Sequence, residues 1–190
     1  MTVTSGTLIG KAYNSGDELT VNVAEGASLS IASGYFPYGF AVRGTDVNSV
    51  LAPGSSLFGP DLQAKTLEDV GASISGPHYI YPNKVAVVTN SHWWFIKGFD
   101  SIKDALEYAG TDILQIAVFQ NIDENIVIPD GVSLIAGKNA ISGSVINRGS
   151  IYSGIFTGTV MNYGFIHDGS YFGGIRNKDE AYISGGHFDC

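Results

Sequence analysis

The chain has 190 residues, of which 44% are hydrophobic and 15% charged, with 25 glycines and a formal net charge of −8. This excludes a disordered segment and argues against nucleic acid or an anionic membrane as the main partner, because both reward Lys and Arg. Its one cysteine, Cys190, leaves no intramolecular disulfide, so packing and hydrogen bonds must hold the fold.

Met1–Gly10 lacks a basic start followed by an apolar stretch, so no signal peptide is expected in this chain. The longest apolar runs, Trp93–Ile96 and Ile116–Phe119, are too short to cross a bilayer, and no membrane insertion is expected. Cys190 is expected to be an exposed free thiol, with pairing between chains as the alternative.

Residues 1–98 read as a β-rich region with long loops. Leu19, Val21 and Val23 alternate with polar residues, as do Leu29 and Ile31, which is the period of a half-buried strand. Between these runs lies VAEGASL at 23–29, a pattern that returns as LAPGSSL at 51–57 and IPDGVSL at 128–134. A shorter copy, GASI, occupies 71–74. Each reads as an apolar residue, a tight turn ending in Gly, and a new strand. Hairpins would also produce this pattern.

Two stretches concentrate aromatic residues: HYIYP at 78–82 and SHWWF at 91–95. Flat apolar rings with a polar edge suit sugar stacking or a protein interface. Tyr79, Tyr81, His92, Trp93 and Trp94 are therefore the candidate ligand-binding residues. If Trp93 and Trp94 are neighbours on a strand, they point to opposite faces. The plainer reading, and the favoured one, has one Trp in the core and the other sealing the junction with the following helix. YFPYGF at 35–40 is a further aromatic loop that could belong to the same surface.

SIKDALEYAG predicts a helix over 101–109. Ile102, Ala105, Leu106 and Ala109 share one face, Ser101 caps the start, Asp104 sits in the first turn and Gly110 ends it. Two apolar strands follow, DILQIAVF and ENIVIPDGVSLIAG, joined by a polar corner at 121–125.

From there the chain repeats every 15 residues. The spacing joins Asn147, Asn162 and Asn177, and Val145, Val160 and Ile175. It also joins Ile151 to Ile166, Gly154 to Gly169 and Phe156 to Tyr171. Fifteen residues at about 3.3 Å each give a contour near 50 Å, enough for one coil of short strands and corners. Stacked coils share an apolar column that no single coil could bury. In that register Asn147, Asn162 and Asn177 form a ladder of amide hydrogen bonds. The step from Ile166 to Ile183 is 17 residues, which predicts an outward bulge at Lys178, Asp179 and Glu180.

Residues 99–137, FDSIKDALEYAGTDILQIAVFQNIDENIVIPDGVSLIAG, resemble the opening of a right-handed parallel β-helix of the pectate-lyase-like superfamily, with a capping helix, a strand and a first coil. The N-x-G and I-x-x-G-x-F repeats that follow are similar to those of bacterial surface proteins, autotransporter-like passengers and phage fibre or tail proteins. The resemblance covers residues 99–190. It implies a mainly β chain, whose second half is a short right-handed parallel β-solenoid behind a capping helix.

In that superfamily the lyases bind calcium through carboxylates and abstract a proton with a basic residue. By repeat register Arg148 aligns with Tyr163 and Lys178, and Asp168 with Ser153, so no column gathers two carboxylates. Asp123, Glu124 and Asp130 form one acidic group, read as a solvated corner in preference to an acid–base pair or cation site. His167 and Asp168, as strand neighbours, are poorly placed for a dyad. No phosphate loop, zinc-ligand spacing or Ser-His-Asp arrangement appears, so no metal or cofactor is expected.

These readings lead to a non-catalytic structural or attachment protein, homo-oligomeric or bound to other structural subunits, on a virion or a bacterial cell surface. The alternative is a carbohydrate-binding module or a polysaccharide-degrading enzyme. An enzyme would need Asp46, Asp61, Glu68, Asp69 or His78 brought together by folding.

Overall fold

The computed structural model describes residues 2–3, 7–13, 19–45, 47–65, 73–178 and 180–189. The chain is mainly β, with about nine turns of β-solenoid winding and one α-helix among the described residues. It forms two compact units: residues 1–60 with 64–83, and residues 84–190 with the short segment 61–63. Residues 84–98, grouped above with the N-terminal region, thus belong to the second unit.

The first unit is coiled as well, which its sequence did not announce. Strand Thr7–Tyr13 runs parallel to Ser28–Phe36, and Leu19–Val23 runs parallel to Gly39–Arg43. Leu8 pairs with Leu29 and Leu19 with Phe40, so like positions recur after one winding of the chain. His78–Pro82 closes this sheet antiparallel, between Ser28–Phe36 and Ser55–Phe58. Val21, Leu29, Ile31, Phe36, Phe40, Leu57 and Ile80 fill the core, with the rings of Phe36 and Phe40 stacked at 4.6 Å.

The recurring turn motif is one local structure used three times. Ala27 donates to Ala24, Ser55 to Ala52 and Val132 to Pro129, each closing a four-residue turn. Gly26, Gly54 and Gly131 sit at its third position with φ of 77°, 78° and 83°. A side chain there would be strained, and Gly adopts this φ without strain. Of the fourth copy, residues 71 and 72 lie outside the described residues.

The second unit opens with Phe95–Phe99, Ala86–Thr89 and Gln115–Val118 paired antiparallel. Beyond Gln115–Val118 all pairing is parallel. One sheet continues through Ser133–Ile141, Ser150–Phe156, Phe165–Ile166 and Tyr182–Ile183. The other stacks Ile126–Ile128, Val145–Asn147, Val160–Asn162 and Ile175–Asn177. Successive coils place like over like. Leu134, Ile151, Ile166 and Ile183 form one column, and Ile141, Phe156, Tyr171 and Phe188 another.

Helix Ile102–Ala109 lies over the first coils. The Ser101 Oγ accepts from the amides of Lys103 and Asp104, and the Gly110 amide donates to the carbonyl of Leu106. Its buried residues are the predicted Ile102, Ala105, Leu106 and Ala109. The extra residues of the last coil fall after Asn177. There Ala181 donates to the Lys178 carbonyl and Glu180 takes φ 68°, while Asp179 lies outside the described residues.

Candidate functional site

The buried amide ladder is the first constructed feature. Asn147 Nδ2 donates to Asn162 Oδ1 at 2.7 Å, and Asn162 Nδ2 donates to Asn177 Oδ1 at 2.7 Å. Asn147 and Asn162 are fully buried and Asn177 is exposed. Two further bonds reach backbone: Asn147 Nδ2 to Phe165 O at 3.0 Å, and Asn177 Nδ2 to Ala181 O at 2.8 Å. A buried amide without partners costs about 1–3 kcal/mol, so a coil carrying Asn here fixes the next coil's residue. Asn147 Oδ1, at the inner end, is the ladder's one unpaired atom among the described residues. In register beneath it lies Ile128.

The second constructed feature is an aromatic stack. The rings of Phe156 and Tyr171 lie 4.9 Å apart at 5°, and those of Tyr171 and Phe188 lie 5.2 Å apart at 11°. Two residues before each ring stands a glycine: Gly154, Gly169 and Gly186. A Cβ at Gly154 would come within 2.9 Å of the Phe156 ring, and one at Gly186 within 3.0 Å of the Phe188 ring. On the outer surface over this glycine row lies a furrow of about 430 Å³.

Its lining comes from four successive coils. Ser153, Asp168, Ser170 and His187 bring polar side chains, and Lys138 closes one end. Lys138 is held there by a local insertion. Ile135 pairs with Ser153 and Ala140 with Ile155, so residues 136–139 leave the ladder's register, with Lys138 exposed. The bulge rests on the segment 61–63: Lys138 donates its amide to Asp61 O at 3.0 Å and its Nζ lies 3.5 Å from Asp61 Oδ2. Asn139 is buried beneath, donating to Val118 O and accepting from Gln63 Nε2. Asp168 Oδ1 accepts from the Gly169 amide at 2.8 Å, which fixes the carboxylate at the rim.

Aromatic pairs stand on the outside of the same coils. Tyr152 and His167 stack at 4.2 Å and 14°, next in sequence to Ser153 and Asp168. Phe172 packs against the ring of His187 at 6.2 Å. Tyr152 and Phe172 are 45% and 47% exposed, so these rings face solvent.

The residues singled out by sequence are distributed differently. Tyr79 and Tyr81 belong to the first unit and are 5% and 0% exposed, with Tyr79 stacked between Tyr35 and Tyr81. Burial, with Tyr35 alongside, pushes the Tyr79 phenol well above its ordinary value. Both rings therefore serve the interior. Trp93 and Trp94 are in the second unit and are not on a strand, which corrects the opposite-faces reading. They occupy the loop between Ala86–Thr89 and Phe95–Phe99, organised by Asn90. Asn90 Oδ1 accepts from the amides of His92 at 2.9 Å and Trp94 at 3.1 Å, and Trp93 takes φ 63°. Trp94 is 53% exposed, with the His92 ring 6.1 Å away.

Among the acidic candidates, Glu124 pairs with Lys103 at 3.3 Å, while Asp123 and Asp130 are exposed. His78 is buried with Nδ1 2.9 Å from Gly76 O. Asp46, Glu68, Asp69 and Cys190 lie outside the described residues. His167 and Asp168 both sit between strands, and Asp168 lines the furrow. The furrow's residues were missed because Ser153 and Asp168 differ in type from coil to coil. The signal was their spacing of 15. No family model, curated protein or solved structure matches the chain.

Proposed function

We propose that the protein is a structural or attachment component, a rigid β-solenoid building block that works as a homo-oligomer on a virion or bacterial surface. The observation that carries this reading is the register of the second unit, where an amide ladder and a ring stack lock each coil to the next. Such a lattice resists bending and offers outward columns of side chains at fixed spacing, which suits a spacer or a display surface.

Outward rings of the solenoid support self-association. Phe165 and Tyr182, in register on successive coils, are 52% and 57% exposed. Exposed apolar rings gathered on one surface are sites that native proteins cover. A second copy of the chain is the occupant proposed here.

The mass of the protein in solution, by light scattering over a concentration series, tests this role. A trimer or a higher closed assembly is the expected result. A 20.1 kDa monomer at every concentration overturns it.

A further inference from the structure

We propose that copies of this chain join head to side through a charged contact. The acidic helix Ile102–Ala109 of one copy docks on the basic outer face of Val145–Asn147, Val160–Asn162 and Ile175–Asn177 of the next. The inference rests on the self-association proposed above and names two surfaces that meet.

Parallel stacking builds the receiving face. Val127, Ile146 and Met161 stand in register on successive coils, each between two buried neighbours, and so point outward. Arg176 follows them in register. Two positions on in each coil come Arg148, Tyr163 and Lys178, all exposed, with their amides bonded to the coil beneath. The Arg148 guanidinium lies over the Tyr163 ring at 5.7 Å, and Tyr163 Oη donates to Met161 Sδ at 3.0 Å. The cationic column is thus laced to the apolar one. Three of the chain's ten Lys and Arg residues gather on this face, and among the described residues none of the three has an ion-pair partner.

The helix supplies the complement. Asp104, Glu107 and Asp112 are exposed, and the negative end of the helix dipole adds to the last two. The cations beside them are engaged: Lys103 pairs with Glu124 at 3.3 Å, and Lys97 lies over the Phe99 and Tyr108 rings at 5.0 and 5.1 Å. Ile113 is 84% exposed, more than any other large apolar side chain among the described residues. It tips a turn held by two bonds, Asp112 N–H to Ala109 O and Leu114 N–H to Asp112 O. An apolar tip beside carboxylates fits an apolar column flanked by cations, and the charges set the register. The basic face cannot meet itself about a twofold axis without opposing Arg148, Arg176 and Lys178 to their own kind. A polyanion would be drawn to these cations and repelled by the rest of a chain of net charge −8. The contact is therefore heterologous, and its repetition builds a ring or a filament.

The test is light scattering of the full chain at about 0.05 M and about 0.5 M salt, with two charge reversals. One combines Arg148→Glu, Arg176→Glu and Lys178→Glu; the other combines Asp104→Lys, Glu107→Lys and Asp112→Lys. The unmodified chain should self-associate, about tenfold or more weakly at the higher salt. Each reversed protein should be monomeric alone at low salt, and an equimolar mixture of the two should associate. Ile113→Ser changes one exposed side chain and should weaken association of the otherwise unmodified chain about tenfold, so it reads the contact even if a triple variant fails to fold. Assemblies that withstand salt and both reversals, or that Ile113→Ser leaves unchanged, overturn the proposal and leave the assembly role standing. Folded reversed proteins that stay monomeric when mixed do the same. An unmodified chain that is monomeric at every concentration overturns both, and its binding to polyglutamate would assign the face to an acidic peptide in place of a second copy.

Discussion

Asn147 donates to Asn162 across a 2.7 Å hydrogen bond, fully buried, between residues 15 positions apart in the chain. Asn162 also accepts from the Gly164 amide at 3.3 Å and donates to Asn177, so it is the most connected rung. Asn162→Ala strands the Gly164 amide and breaks the ladder on both sides. It should destabilise the second unit by about 2–4 kcal/mol. Asn177→Ala, at the exposed end, should cost less than about 1 kcal/mol. Urea midpoints of the two variants check the ordering; equal losses would contradict it.

The middle ring of the aromatic stack gives a second contrast. Tyr171 is fully buried and its hydroxyl donates to Asp168 O at 3.0 Å. Tyr171→Phe keeps the ring and should cost about 1 kcal/mol, whereas Tyr171→Ala opens a cavity and should cost about 3–5 kcal/mol. Denaturant unfolding monitored by circular dichroism distinguishes the two.

Tyr171 also predicts an alkaline limit. Burial, and secondarily the Asp168 carboxylate, raise its phenol above the ordinary value of 10.0. A raised folded value means the unfolded chain loses the proton first. The stabilisation is therefore complete below pH about 10 and declines as pH rises beyond it. Tyr79, raised by the same burial in the first unit, adds in the same direction. Urea midpoints should fall between pH 9.5 and 11.5, and Tyr171→Phe should flatten the slope. A midpoint unchanged over that range would refute this.

Close approach between coils is testable at glycines whose backbone angles are ordinary. A Cβ at Gly164 would collide with the carbonyl of Gly149 on the coil beneath. Gly26, by contrast, has open space around it and only its φ of 77° to oppose a side chain. Gly26→Ala should cost about 1–2 kcal/mol, and Gly164→Ala clearly more, since backbone must move. Thermal melts of the two variants test this.

The sequence made the second unit legible because its coils repeat residue types as well as hydrophobicity. Asn over Asn and ring over ring survive in a single chain as spacings of 15. The helix was legible for a different reason: its cap, stop and apolar face are all local. The first unit's winding was hidden because identical pairs such as Leu8 with Leu29 stand among unlike ones such as Leu19 with Phe40, and a register shift after Gly10 breaks the spacing. Trp93 and Trp94 were misread because SHWWF is rich in aromatic residues, which favour strands. Its geometry is set by the Asn90 side chain, which reaches forward to two amides. The furrow was illegible for a third reason. It depends on an insertion at residues 136–139 and on the distant segment 61–63 that holds it.

The stacking of like over like is tested most directly by side-chain amide NMR on Asn147, Asn162 and Asn177. Cross-peaks linking each amide to the next, with slow hydrogen exchange at Asn147 and Asn162 and faster exchange at Asn177, are the predicted result. Rapid exchange at all three, with no cross-peaks between them, would contradict the coil register on which the account rests.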